Sequence, residues 1–250
     1  MRRVWPPLIV LAAVVAGWEL VVRLFSVPDY IFPAPTAVAS SLDHDAGLLW
    51  HATLVTLREV VLGYFLAVAA ALVIAVVLHF SAVLRRAILP ILVLSQTVPT
   101  VVLAPVLAIV LGYGLAPKLV VVAVVCFFPI VVNAVDGLRS ADPELIRMMR
   151  TLHGDRVAIF RRVEWPGALP AIFSGARVAA TYAAVGAVFG EWAGSSSGLG
   201  FVMLQAQPAL ETDRIFAAVL ILSVIALVLY ALVTVAERIL VPWEREVVNA

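Results

Sequence analysis

Six stretches, at residues 5–25, 60–80, 88–111, 119–135, 168–192 and 215–235, are mainly apolar over about the 20 residues that a helix needs to cross a bilayer core of roughly 30 Å. In lipid every backbone N–H and C=O must find its partner inside the protein, so such stretches are read as helices. The composition agrees, with 64% hydrophobic residues and a mean hydropathy of +1.09, where soluble domains carry roughly 45–50% apolar residues. The expectation is an all-α integral membrane protein, a single transmembrane domain over residues 1–250. The fourth stretch is the shortest, bounded by Lys118 and Asp136, and the third holds Pro99 and Pro105, where a kink or unwinding is expected. Arg2 and Arg3 before the first run resemble a signal peptide, but Trp18 and Glu19 stand where a small-x-small cleavage site belongs, which makes it a retained first helix.

The charges set the orientation. Short loops rich in Lys and Arg stay on the cytoplasmic side. Arg2 and Arg3, Arg85 and Arg86, the six arginines of the loop 136–166, and Arg238 with Arg245 all fall on one side of a six-span arrangement. Both termini are therefore expected in the cytoplasm. The opposite side carries Arg23, Arg58, Lys118 and Arg214 among Asp29, Asp43, Asp45, Glu211 and Asp213. The loop 136–166 cannot be a seventh span, because six arginines at membrane depth would cost roughly 15–20 kcal/mol.

That loop carries its own helix signals. Asp142 suits an N-cap, Pro143 the first helical position and Glu144 the positive N-terminus, and Gly154 can end the helix. Leu145, Met148, Met149 and Leu152 follow helical spacing and form one apolar stripe, with Arg147, Arg150 and Thr151 facing elsewhere. A second basic amphipathic piece, 157–163, follows. The stripe can lie on membrane lipid or enter a groove on a partner, for which methionines are well suited; periodicity leaves both open.

With "CFFPIVVNAVDGLRSADPELIRMMRTL", "RRVEWPGALPAIFSGARVAA", "GEWAGSSSGLG" and "ERILVPW", the chain resembles the permease subunits of bacterial ABC importers over nearly its whole length. The loop is similar to the EAA loop of that family, Glu-Ala-Ala, three residues, Gly, nine residues and Ile-x-Leu-Pro. Aligning on Pro166 puts Arg147, Met148 and Met149 at the Glu-Ala-Ala positions, His153 at the glycine, Val163 at the Ile and Trp165 at the Leu. The resemblance implies a type I importer permease in the inner membrane. Its loop helix, here Glu144, Leu145, Arg147, Met148, Met149, Arg150, Leu152, His153 and Gly154, would dock into a cytoplasmic ATPase. It also implies a solute-binding protein outside and a second permease, an identical copy, alongside. The branch most similar carries thiamine pyrimidine precursors and riboflavin, with sulfonates, taurine and nitrate next.

No G-x-x-x-x-G-K-[ST] occurs and the sole lysine, Lys118, lies in "YGLAPK", so this chain has no loop for ATP phosphates, and hydrolysis is expected in another polypeptide. No catalytic set, cofactor site or nucleic-acid partner is expected. "DHDAGLLWH", with Asp43, His44, Asp45 and His51, is read as solvated interface rather than a metal site. Cys126, alone in an apolar run, is read as a small buried hydrophobe.

Polar residues within spans usually face protein or water. The candidates for a translocation path are Ser95, Gln96, Thr97 and Thr100 in the third span, Asn133 in the fourth and Tyr182, with Thr181, in the fifth; hydrogen bonding between helices is the competing role. Glu191 is expected to cap the "GSSSGLG" turn, or else to help dock a binding protein. Glu19 and Arg23 are spaced for an ion pair, and Arg177 for snorkelling at the inner interface. Gly175, Ala179, Ala183, Gly186 and Gly190 mark a close helix contact, within the subunit or with a second one. A secondary transporter or channel acting alone is the rival reading; against it stand the lack of a clear internal repeat and of an intramembrane carboxylate pair for proton coupling.

Overall fold

The computed structural model describes residues 5–243, and all its elements are helical. Arg2, Arg3 and Arg245, counted above for orientation, lie outside the described residues. In order the helices are α1 (Trp5–Leu24), α2 (Pro35–His44), α3 (Ala46–Phe80), α4 (Ala82–Ser95), α5 (Thr100–Leu111), α6 (Leu115–Arg139), α7 (Pro143–Thr151), α8 (Arg156–Ile159), α9 (Trp165–Trp192), α10 (Leu199–Ala209) and α11 (Thr212–Leu240). A π-helical turn, Phe160–Glu164, joins α8 to α9.

The core is the packing of α3, α6 and α9. Its faces repeat every four residues: Ala67, Ala71 and Ala75 on α3, Val122, Cys126 and Ile130 on α6, and Ala179, Ala183 and Ala187 on α9, each at most 1% exposed. Small residues let the backbones approach. A Cβ on Gly175 would lie 2.5 Å from the Pro129 carbonyl oxygen, one on Gly186 3.1 Å from Val122 Cα, and one on Gly190 3.1 Å from Lys118 Cα. The small-residue stripe of α9 is thus occupied by α6 of the same chain. Cys126 is fully buried and its thiol donates to the Ala179 carbonyl at 3.4 Å.

Four segments, Ala46–Phe80, Leu115–Arg139, Arg156–Trp192 and Thr212–Leu240, are long and apolar enough to cross a membrane. The second expected span extends well past its boundaries: α3 has 35 residues, about 52 Å at 1.5 Å per residue. The third expected span, 88–111, is not one kinked helix but two, α4 and α5, meeting at 101°. The break falls at 96–99, where Pro99 has no N–H and holds its neighbour out of the α region; Pro105 sits inside α5 without a break.

At one end of the bundle α1 and α2 join the rest through the rings of Trp18, Phe32 and Phe216, 5.4–5.7 Å between centroids. Glu19 pairs with Arg23 at 2.5 Å and also accepts from Thr36 N–H and hydroxyl. Asp45 accepts a two-pronged bond from Arg214 at 2.8 and 2.9 Å, which holds its carboxyl below the usual range. That engages Asp45, the less exposed of the two carboxylates of "DHDAGLLWH", and no metal-holding group of His, Cys, Asp and Glu occurs among the described residues.

Candidate functional site

The chain places its polar chemistry in three regions. The first is α7. Asp142 caps it, its carboxylate accepting from Glu144 N–H at 2.8 Å, with Pro143 next in the first turn. At the other end His153 N–H donates to Arg150 O at 3.0 Å and Gly154 N–H to Met149 O at 2.8 Å. Those two bonds are a Schellman ending, whose left-handed residue is usually glycine. Here that residue is His153, at φ 58, not Gly154, which follows it and closes the outer bond. The expected stop at Gly154 is therefore displaced by one position. Leu145, Met148 and Leu152 are 46%, 53% and 68% exposed, whereas Met149 is half-buried against Gly154. Arg147 and Arg150 are exposed, and Glu144 lies 3.6 Å from Arg147 in an ion pair open to water, a contact worth little.

The second region is a cavity of about 660 Å³ between the α4–α5 elbow, α6 and α9. Ser95, Gln96 and Thr100 line it from the elbow, Asn133 from α6 and Tyr182 from α9; Thr97 does not. Most of the wall is apolar, including Phe128 and Phe189. The Ser95 hydroxyl donates to Leu92 O, Thr97 to Leu94 O, Thr181 to Val178 O and the Asn133 amide to Pro129 O, at 2.7–2.8 Å, each to a carbonyl three or four residues earlier in the chain. These side chains do not bridge helices as glue would require. Thr181 lines a different groove, between α9 and α11.

The third region is a buried polar cluster that sequence reading did not assemble. Glu59, 1% exposed, accepts from Lys118 Nζ at 2.7 Å, and Lys118 also donates to Ser195 at 2.6 Å. Glu191, fully buried, accepts from the Thr56 hydroxyl at 2.5 Å, from Gly200 N–H at 2.5 Å and from Phe201 N–H at 3.3 Å. It caps the N-terminus of α10, where free N–H groups favour an anion. Gly198, at φ 113, has the Glu191 carboxylate where a Cβ would go, so only glycine fits. Two carboxylates, Glu59 and Glu191, thus share one buried cluster, and each has a structural partner. Capping of the following turn by Glu191 is a local signal, since Gly200 and Phe201 lie 9 and 10 positions away, whereas Thr56 lies 135 positions from Glu191 and Lys118 59 from Glu59. Arg177 pairs with Glu237 on α11.

A family of transport proteins, described as the binding-protein-dependent transport system inner membrane component, matches residues 59–246. The chain belongs to this family. It is accordingly a multi-pass permease of the inner membrane, of the kind found in ABC importers. Among its relatives, a probable ABC transporter permease protein of Haemophilus influenzae is 41% identical over 91% of this chain and 93% of that one. The riboflavin transport system permease protein RibX of Chloroflexus aurantiacus is 37% identical over 96% and 91%. Among solved structures, a chain of the inward-facing MetNI methionine ABC transporter superposes with a TM-score of 0.68 at 19% identity, covering 78% of this permease and 97% of that chain. That likeness concerns the fold, and it covers the type I importer architecture expected from the loop.

Proposed function

We propose that this permease works as one of two identical copies, with ATPase subunits docked on α7 in the cytoplasm and a solute-binding protein outside. Six spans, α1 being the first and α4 with α5 together the third, put both termini and α7 on the cytoplasmic side and the Glu59–Lys118–Glu191 cluster on the other. ATP is hydrolysed in the separate subunits, since this sequence carries no loop for its phosphates. The cavity at the elbow is the path, and the solute is a riboflavin-like molecule or a thiamine pyrimidine precursor, supported by the similarity to a riboflavin permease.

The observation that carries the reading is α7 itself. A helix capped at both ends, with Leu145, Met148 and Leu152 exposed in one stripe, is a finished docking element that the described residues leave uncovered. Leu145→Glu with Met148→Glu is expected to weaken ATPase binding about tenfold or more, each buried aliphatic side chain being worth roughly 1.5–3 kcal/mol. Co-purification of the ATPase with the tagged permease measures it; full retention of the ATPase by the double variant would sink the assignment.

A further inference from the structure

We propose that Arg156, Phe160 and Glu164 clamp the end of α3 and hand the movement of α7 to α4, and so to the elbow at the cavity. This rests on the reading of α7 as the ATPase dock.

The clamp grips two adjacent residues, His79 and Phe80. The Arg156 guanidinium donates to the Phe80 carbonyl at 3.1 Å and its charge lies 5.0 Å from the centre of the Phe80 ring. That carbonyl ends α3 and has no partner within the helix. The Phe160 ring packs on His79, Phe80 and Trp165, with centroids 5.6, 5.0 and 5.8 Å apart. Glu164 Oε2 lies 2.8 Å from His79 Nε2, and both side chains are largely out of water, at 16% and 10% exposure.

The connections on either side of the clamp are short. Upstream, Asp155 caps α8 by accepting from Ala158 N–H at 2.7 Å, directly after the Schellman ending of α7. Downstream, Phe80 is followed by Ser81 alone, whose hydroxyl oxygen accepts from Leu84 N–H and starts α4. A shift of Phe80 is therefore a shift of the first turn of α4. No residue of α4 is buried, whereas α6 and α9 are locked together along their length. Of the elements that α7 could push, α4 resists least. The π-helical turn between Arg156 and α9 supplies compliance, since its i to i+5 bonds hold an extra residue that can be taken up or released. α4 ends at Ser95, in the wall of the cavity.

The test uses the permease assembled with its ATPase subunits and binding protein. An environment-sensitive fluorophore is placed on Leu94→Cys, near the elbow; the native Cys126 is fully buried and does not compete for the label. Trapping with ATP and vanadate is expected to change the emission in the otherwise unaltered permease. His79→Ala with Arg156→Gln should cut that change about fivefold while the ATPase remains bound, and His79→Gln with Arg156→Lys, which keep the donors, should restore it. An undiminished response in the first double variant, or a silent label in the unaltered permease with ATPase bound, would overturn the clamp. Absence of ATPase binding to the unaltered permease would instead remove the docking reading, and the clamp with it.

Discussion

His153 holds its backbone at φ 58 where α7 ends, in the left-handed region that costs an L-residue about 1–2 kcal/mol. Histidine is among the residues that tolerate it, and the family pattern's glycine at the aligned position is the residue that adopts it freely. The departure from that pattern thus changes strain rather than path: the Schellman bonds to Arg150 and Met149 form regardless. His153→Gly relieves the strain but loosens the unfolded chain, leaving a net gain of about 0.5–1 kcal/mol. Hydrogen exchange at the His153 and Gly154 amides should slow about two- to fivefold, since both amides are protected only by that ending. Unchanged exchange would mean that the turn is not strained in solution.

Between elements, the closest contact is α6 on α9, and it rests on glycines that the sequence made visible without saying what they faced. Gly175→Ala would press a methyl group onto the Pro129 carbonyl and Asn133, which costs about 1–3 kcal/mol of overpacking. Gly167→Ala, with nothing within 4 Å of the new Cβ, should be neutral or stabilising by up to about 1 kcal/mol. Thermal unfolding midpoints in detergent separate the two; equal midpoints would remove the tight contact. The long helices and the N-terminal cap of α7 were legible because hydropathy runs and Asp-Pro-Glu spacing are local signals. The elbow was half legible: Pro99 marks a break, but a proline does not say whether a helix kinks or turns through 101°. The Glu59–Lys118–Glu191 cluster and the His79–Glu164 contact were not legible, since their members come from separate helices and only packing brings them together.

For the whole molecule, the question is whether the cavity is a path or a packing defect. Glue between helices would join side chains across the elbow, α6 and α9, yet the hydroxyl of Ser95 and the amide of Asn133 bond within their own helices. That leaves the polar ends of Gln96 and Tyr182, both exposed and both lining the cavity, available to a passing solute. An apolar wall with a few convergent polar groups is the usual makeup of a small-molecule site, and a flat, conjugated solute would suit Phe128 and Phe189. Gln96→Leu and Tyr182→Phe each remove one polar contact of about 0.5–1.5 kcal/mol. Initial uptake of the proposed solute, tested with labelled riboflavin and the pyrimidine precursor, should therefore fall roughly two- to tenfold for each, with ATPase binding unaltered because α7 is untouched. A seal or packing role predicts the reverse, since both replacements keep volume and add apolar surface: uptake would hold and the thermal midpoint would rise. Measuring uptake and midpoint on the same variants decides between path and packing.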